Sequence, residues 1–254
     1  SSTCPSPLLS VGSSSVSVAS GTREDLTGRT WSFSMYPIAF QELFKQEGLF
    51  QGERFLDDAL VTGLYPALFS LENRNDKIAH LQELSSAYLY RDILELGSIK
   101  NPVKLRNLLR LLAYQTGSEV SYQELGRSCR LSTDTVIRYI DLLEKSFVLF
   151  RLGAFSRNLR KEIRKKDKVY FYDNGIRNSV IDDFKEFHLR SDQGALWENF
   201  LVSERMKYNS YRGFYGSRWF WRTYTGAEID YVEEKDSALQ AFEFKLTEKQ
   251  KKMP

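Results

Sequence analysis

Carboxylates and a lysine lie at short, regular spacings near the C-terminal end of the chain. Glu228 and Asp230 are two residues apart, and so are Glu243 and Lys245. Because alternate residues of a strand point to the same face, each pair should share one face of a strand. If the two strands are neighbours, the carboxylates converge and can hold Mg²⁺, which activates water for attack on a phosphate. Glu198, on a predicted helix upstream, can add one more ligand.

This spacing, Asp-x(12)-Glu-x-Lys with an upstream helical glutamate, is a recognisable pattern of metal-dependent nucleases. It assigns Asp230, Glu243 and Glu198 as metal ligands, with Glu228 and Lys245 as catalytic groups, Lys245 supporting the attacking water. The alternative interpretation is an edge strand that carries charges to prevent aggregation. A candidate magnesium site follows from the first interpretation and a purely structural surface from the second.

A helix-turn-helix pattern lies in the middle of the chain. Ser121 and Glu124 form a capping box that opens one helix, and residues 132–135 can cap a second helix. The second helix would bury a stripe of aliphatic residues and present small and basic side chains to phosphates or base edges. The expected DNA-facing residues are Thr133, Thr135, Arg138 and Tyr139. Ordinary amphipathic helices with exposed threonine and arginine are the alternative.

A basic run follows this pattern. Residues 157–168 hold seven basic residues against two acidic ones, whereas the whole chain has 36 basic and 33 acidic residues. The case for nucleic acid therefore depends on local clustering. Residues 147–152 are a plausible first strand of a wing, and the run would form the DNA-contacting segment beside it. The candidate contacts are Arg157, Arg160, Lys161, Arg164, Lys165 and Lys166. A solvated charged face is the alternative.

Composition limits the class of protein. The 254 residues are 42% hydrophobic, which is enough for a buried core. No apolar stretch approaches the roughly 20 residues that cross a bilayer, so no membrane partner is expected. Two cysteines are too few for a disulfide framework, and we expect a reducing, cytoplasmic location. The C-terminal part mixes a helix over residues 195–206 with strands over 169–172, 217–224, 227–232 and 238–246.

Specific strings of residues connect these blocks to a known family. The chain resembles prokaryotic AAA-type ATP-binding proteins in which a P-loop module is followed by a winged helix and a C-terminal domain of unknown function. That last domain has a restriction-endonuclease-like core. The strings that carry the resemblance lie at residues 8–14, 26–29, 35–42, 63–66, 90–93, 168–175, 197–199, 226–230 and 243–245.

The resemblance implies an α/β (α+β) fold built from four parts. These are the truncated end of a P-loop AAA core (1–40), a helical lid (41–98), a winged helix-turn-helix (99–156) and a small mixed-sheet, nuclease-like domain (157–254). Ser13 would sense the γ-phosphate and Arg29 would act as an arginine finger on a neighbouring subunit of a homo-oligomer. The Walker segments would precede residue 1, so ATP is expected as a cofactor only in the full-length protein.

Three functions are therefore weighed. The leading one is the C-terminal part of a DNA-associated AAA-type ATPase, acting as a DNA-binding and regulatory module without ATPase activity by itself. The second is a Mg²⁺-dependent DNA endonuclease of the PD-(D/E)xK type. The third is a protein-interaction scaffold whose aromatic residues form a partner surface, with Trp197, Trp219, Phe220 and Trp221 as candidates.

Overall fold

The computed structural model describes residues 33–47, 49–87, 99, 101–156, 166–223 and 225–246. These residues form a mixed α/β structure, as expected. None of the helices in these ranges is both long and apolar enough to cross a membrane. Some expected site residues lie outside the described ranges, namely Ser13, Arg29, Arg157, Arg160, Lys161, Arg164 and Lys165.

The N-terminal described part is helical. Helix α1 covers Phe40–Glu47, α2 covers Leu49–Val61 and α3 covers Arg74–Ala87, with a 3-10 turn at Pro66–Ser70. The interruption of the helical pattern predicted at residues 63–66 is confirmed. Helix α2 ends at Val61, and Gly63 has a φ of 78°. Glycine adopts this left-handed conformation without the steric cost that a side chain brings.

Three helices follow, each of which begins at a residue whose side chain caps it. They are α4 (Pro102–Tyr114), α5 (Tyr122–Cys129) and α6 (Thr133–Lys145). The caps are Asn101, Ser121 and Ser132, which accept hydrogen bonds from the backbone N–H three residues later. The aliphatic stripes of α4 and α6 lie in the main hydrophobic core, as their spacing predicts.

An antiparallel hairpin comes next in the chain. Strand β1 (Leu149–Leu152) pairs with β2 (Lys168–Phe171), and Glu119 forms a further antiparallel bridge to Lys168. The segment that joins the two strands, 153–167, contains most of the basic run. The boundary expected between residues 156 and 157 therefore falls inside one hairpin, because β2 completes the sheet that β1 begins.

The C-terminal part adds two helices and a three-stranded sheet. Its elements are α7 (Asn174–Ile181), a 3-10 turn (Phe187–Leu189), α8 (Gln193–Tyr211), β3 (Ser217–Arg222), β4 (Glu228–Lys235) and β5 (Ala238–Phe242). The strands are antiparallel in the order β3–β4–β5. Helix α8 extends beyond the predicted 195–206 at both ends, and β5 ends four residues before its predicted end at 246.

Buried amide side chains fix α8 against the hairpin. Asn199 is fully buried. Its Oδ1 accepts from the Phe171 N–H at 2.7 Å, and its Nδ2 donates to the Phe171 carbonyl at 3.1 Å and to Asn174 Oδ1 at 2.7 Å. A parallel bridge between Ala154 and Phe220 links the hairpin to the three-stranded sheet. Together these contacts bring α8, β2 and β4 to one place.

Candidate functional site

Charged side chains from three elements and from the segment after β5 meet between the hairpin and the three-stranded sheet. We call this group the acidic cluster. It contains Glu198 of α8, Glu228 and Asp230 of β4, Glu243 and Lys245 just after β5, and Lys168 of β2. The five residues singled out from their spacing are thus brought together, and Lys168 joins them from a distant part of the chain.

Lys168 lies at the centre of the acidic cluster. Its Nζ is 3.0 Å from Glu198 Oε1 and 2.5 Å from Glu228 Oε1, and it also lies 5.4 Å from the centre of the Phe220 ring. The residue is only 2% exposed. Burial favours the neutral amine, but the two carboxylates outweigh this effect and raise the pKa of Lys168 above its usual value. The ammonium is therefore held in its charged form.

Lys168 counts among the basic residues of 157–168 in sequence, yet its side chain is buried. It opens β2, and alternation along this strand places Lys168 and Tyr170 on one face. Both side chains reach Glu198 from there. The two-residue spacing of Lys168 and Tyr170 is visible in the sequence and indicates that they share a face. It does not reveal that β2 lies beside α8.

Glu198 receives two direct hydrogen bonds. The Tyr170 hydroxyl donates to its Oε1 at 2.6 Å, in addition to the Lys168 ammonium. Burial raises the pKa of the Glu198 carboxyl in spite of these partners, and burial and the Glu198 charge also raise the pKa of Tyr170. Gly117 packs against this carboxylate, since a Cβ built there would lie 3.3 Å from the carboxyl carbon.

Asp230 accepts a backbone hydrogen bond from the segment that follows β5. Its Oδ2 lies 2.7 Å from the Phe244 nitrogen. Burial raises the pKa of Asp230, and the Phe244 N–H and the Lys168 charge oppose this rise. The strand prediction for Glu243 and Lys245 is wrong, because ladder pairing ends at the Tyr231–Phe242 pair. The Phe244 N–H donates to the Asp230 carboxylate instead of to a backbone carbonyl of β4.

The outer side of the acidic cluster is lined with further ion pairs. Lys245 pairs with Glu243, and this partner raises the pKa of Lys245. Arg222 at the end of β3 lies 3.8 Å from Glu228 and 3.2 Å from Glu119. The Lys245 side chain is half exposed, whereas the Lys168 side chain is 3% exposed. The acidic cluster thus has a buried lysine inside and a solvated lysine at its rim.

The arrangement of donors does not fit a magnesium ion as it stands. No group of three or more histidine, cysteine or acidic side chains within the described ranges is placed to hold a metal ion. The Lys168 ammonium lies between Glu198 and Glu228, and a backbone N–H occupies one oxygen of Asp230. Magnesium binding by Asp230, Glu243 and Glu198 stays a prediction from their spacing.

The predicted DNA-facing residues of α6 differ in their exposure. Arg138 is exposed, and Thr133 and Thr135 are partly buried. The prediction for Tyr139 is wrong: it is 3% exposed and lies in the main core. Position 139 follows Val136 by three residues, which places it on the buried stripe of the helix.

Ion pairing inside the helical part changes the charge that α6 presents. Arg151 of β1 pairs with Asp141 at 2.6 Å and with Glu144 at 2.5 Å. One guanidinium thus pairs with two acidic side chains of α6 and offsets one of their two negative charges. Arg138 and Lys166 are exposed. Sequence reasoning missed Arg151, although acidic residues three apart on a helix that precedes a strand with an arginine were a usable signal.

The aromatic residues considered for a partner surface are not a common exposed patch. Phe220 is 1% exposed and belongs to a small core between β2, α8 and β4. Trp197, Trp219 and Trp221 are partly buried. The scaffold hypothesis is wrong for Phe220, because this side chain packs inside the protein.

With the fold and the acidic cluster described, comparison with known families places the chain in a class without assigned function. Residues 53–186 match the Domain of unknown function (DUF8612), which is more than half of the chain. The protein therefore belongs to that family. Residues 193–253 match a second Domain of unknown function (DUF4143), in agreement with the C-terminal domain of unknown function that the resemblance implied.

Curated relatives come from bacteria and archaea. The chain is 26% identical over 245 residues to the uncharacterized protein Rv2008c of Mycobacterium tuberculosis, which covers 96% of this chain and 53% of the relative. It is 22% identical over 264 residues to the uncharacterized protein MJ1544 of Methanocaldococcus jannaschii, with 95% and 56% covered. The chain thus spans about half the length of these relatives. No solved structure gives a significant match.

Proposed function

We propose that the chain is the C-terminal part of a DNA-associated AAA-type ATPase and serves it as a DNA-binding and regulatory module without ATPase activity by itself. The observation that carries the proposal is the pairing of β1 with β2. This pairing turns the basic segment 153–167 into the connection of a hairpin that directly follows α6. Three helices followed by a hairpin is the order of a winged helix, with the basic segment as the wing.

The charge distribution supports contact with a polyanion. Residues 157–166 carry six basic residues against one acidic residue. Arg151 pairs with Asp141 and Glu144 on α6 and offsets one of their two negative charges, which reduces repulsion between this helix and phosphates. Ser132 caps α6, so its N-terminal turn, with Thr133 and Thr135, is fixed in orientation. The proposal uses Arg138 and the basic segment as the phosphate contacts.

The ATPase part of the proposal is based on the resemblance of residues 8–42 to the AAA family. Within that resemblance, Ser13 lies near the γ-phosphate and Arg29 reaches a neighbouring subunit of a homo-oligomer. ATP binding would belong to the whole protein. The endonuclease alternative, with Mg²⁺ at the acidic cluster, stays a separate prediction.

DNA binding is tested by fluorescence anisotropy with a short labelled duplex and the full 254-residue chain. The variant carries Lys161→Ala, Lys165→Ala and Lys166→Ala. We expect its affinity to fall by at least about tenfold at moderate salt. Fewer phosphate contacts form on binding, so fewer counterions are released from the DNA. The dependence of log K on log salt concentration should flatten by about 0.9 for each contact removed.

A matched control removes three exposed basic residues elsewhere, Lys185→Ala, Arg212→Ala and Lys235→Ala. It makes the same change in net charge, so general electrostatic attraction is altered equally. We expect the control to keep most of the affinity and the salt dependence of the wild type. Equal losses in both triple variants, or no binding by the wild type, would contradict the proposed role of the basic segment.

A further inference from the structure

Lys168 occupies the position in the acidic cluster where a cation would bridge carboxylates. We propose that its ammonium is the resident cation of the acidic cluster, and that it excludes a divalent metal ion from the space between Glu198 and Glu228. The lysine thus stands where a divalent ion would have to bind in order to bridge these two carboxylates. The DNA-binding proposal concerns α6 and the basic segment, whereas this inference concerns the buried contacts of Lys168 in β2, and either can fail without the other.

The Lys168 ammonium occupies the space between two carboxylates. Nζ lies 3.0 Å from Glu198 and 2.5 Å from Glu228, so one charged group contacts a carboxylate of α8 and a carboxylate of β4. The side chain is 3% exposed and its charged end lies over the Phe220 ring. A metal ion that bound these same oxygens would lie within a few ångströms of the ammonium, where like charges repel strongly in a buried site.

The acidic cluster contains more carboxylates than cations. Five carboxylates, those of Glu119, Glu198, Glu228, Asp230 and Glu243, face three cations: Lys168, Lys245 and Arg222. With Lys168 in place the excess is two negative charges. Removal of Lys168 raises this excess to three and leaves Glu198 and Glu228 without the cation between them, so the attraction for a divalent ion increases.

The contacts of Lys168 also hold separate elements of the fold together. Lys168 belongs to the hairpin, Glu198 to α8 and Glu228 to the three-stranded sheet, so the ammonium joins three elements. Loss of one partner of a buried ion pair leaves uncompensated charge and destabilises a fold strongly. A bound divalent ion would restore this connection in a variant that lacks the lysine, which makes metal-dependent stability a specific readout.

The test is Lys168→Met, which approximates the apolar stem of the lysine side chain and removes its charged end. Mn²⁺ binding is followed by isothermal titration calorimetry, and the melting temperature is measured with and without Mn²⁺. We expect no saturable Mn²⁺ binding by the wild type below about 1 mM and at least about tenfold tighter binding by the variant. Mn²⁺ should raise the melting temperature of the variant, and adding Glu198→Gln should abolish that effect.

Lys185→Met is the matched control, because this lysine is exposed and lies outside the acidic cluster. It should behave as the wild type does. The proposal is overturned if the wild type binds Mn²⁺ saturably at micromolar concentration and Asp230→Asn removes this binding. It is also overturned if Mn²⁺ neither binds to Lys168→Met nor stabilises it. Should Lys168→Met not fold without metal, the wild-type titration still decides, and recovery of an unfolding transition with Mn²⁺ supports the proposal.

Discussion

Burial raises the pKa of two carboxyls of the acidic cluster, those of Glu198 and Asp230. Asp230 is 9% exposed, and the pKa of its carboxyl is raised by burial although the Phe244 N–H and Lys168 favour the charged form. A carboxyl whose pKa is raised on folding binds protons more tightly in the folded state. At a pH above its raised, folded-state pKa, the ionised carboxylate therefore lowers the free energy of unfolding. This loss of stability disappears as the pH falls below the pKa of an exposed aspartate.

The first prediction concerns this cost. Asp230→Asn removes the buried charge and keeps an oxygen that can accept from the Phe244 N–H. We expect the variant to melt about 2 °C higher than the wild type at pH 7, with the difference shrinking towards pH 4. Thermal unfolding followed by circular dichroism across this pH range measures both. Glu83→Gln, at an exposed position, is the control. A lower melting temperature for Asp230→Asn at pH 7 would show that the charge stabilises the fold.

Spacing placed part of the acidic cluster correctly. Two-residue alternation on β4 correctly placed Glu228 and Asp230 on one face, from which both reach the cluster. Lys168 could not be placed in the same way, since its partners are 30 and 60 residues away in the chain. Tyr139 was misplaced because an aromatic residue beside Arg138 fits a recognition face as well as it fits a core.

Among elements, the helix starts were the most predictable features. Ser121 and Ser132 have short side chains that compete for free backbone N–H groups, and both cap helices where the sequence indicates. The end of β5 was not predictable from local residues. The pattern Glu-Phe-Lys-Leu continues a strand, but a side chain on the neighbouring strand, Asp230, takes the N–H of Phe244. Local propensity describes the segment and not its partner.

The contact between α8 and β2 gives a prediction at this scale. Asn199→Ala leaves the backbone N–H and carbonyl of Phe171 and the amide oxygen of Asn174 without these partners in a buried place. We expect the free energy of unfolding to fall by about 2–4 kcal/mol, measured by urea denaturation. Asn107→Ala, on the exposed face of α4, should change it by less than about 0.5 kcal/mol. Equal effects of the two substitutions would contradict the assigned role of Asn199.

On the scale of the whole molecule, the two matched families are joined by buried contacts. Residues 53–186 contain Lys168 and Phe171, and residues 193–253 contain Glu198 and Asn199. The ion pair Lys168–Glu198 and the hydrogen bonds of Asn199 to Phe171 cross from one region to the other. The hairpin that follows α6 therefore supplies one residue of the acidic cluster, Lys168 of β2.

The central claim is that α6 and the basic segment form the DNA-binding surface. Hydrogen–deuterium exchange measured by mass spectrometry, with and without a short DNA duplex, tests it most directly. The account predicts that DNA slows exchange in peptides covering residues 133–145 and 153–168, and that high salt removes this protection. Protection confined to residues 193–246, or none at saturating DNA, would contradict it.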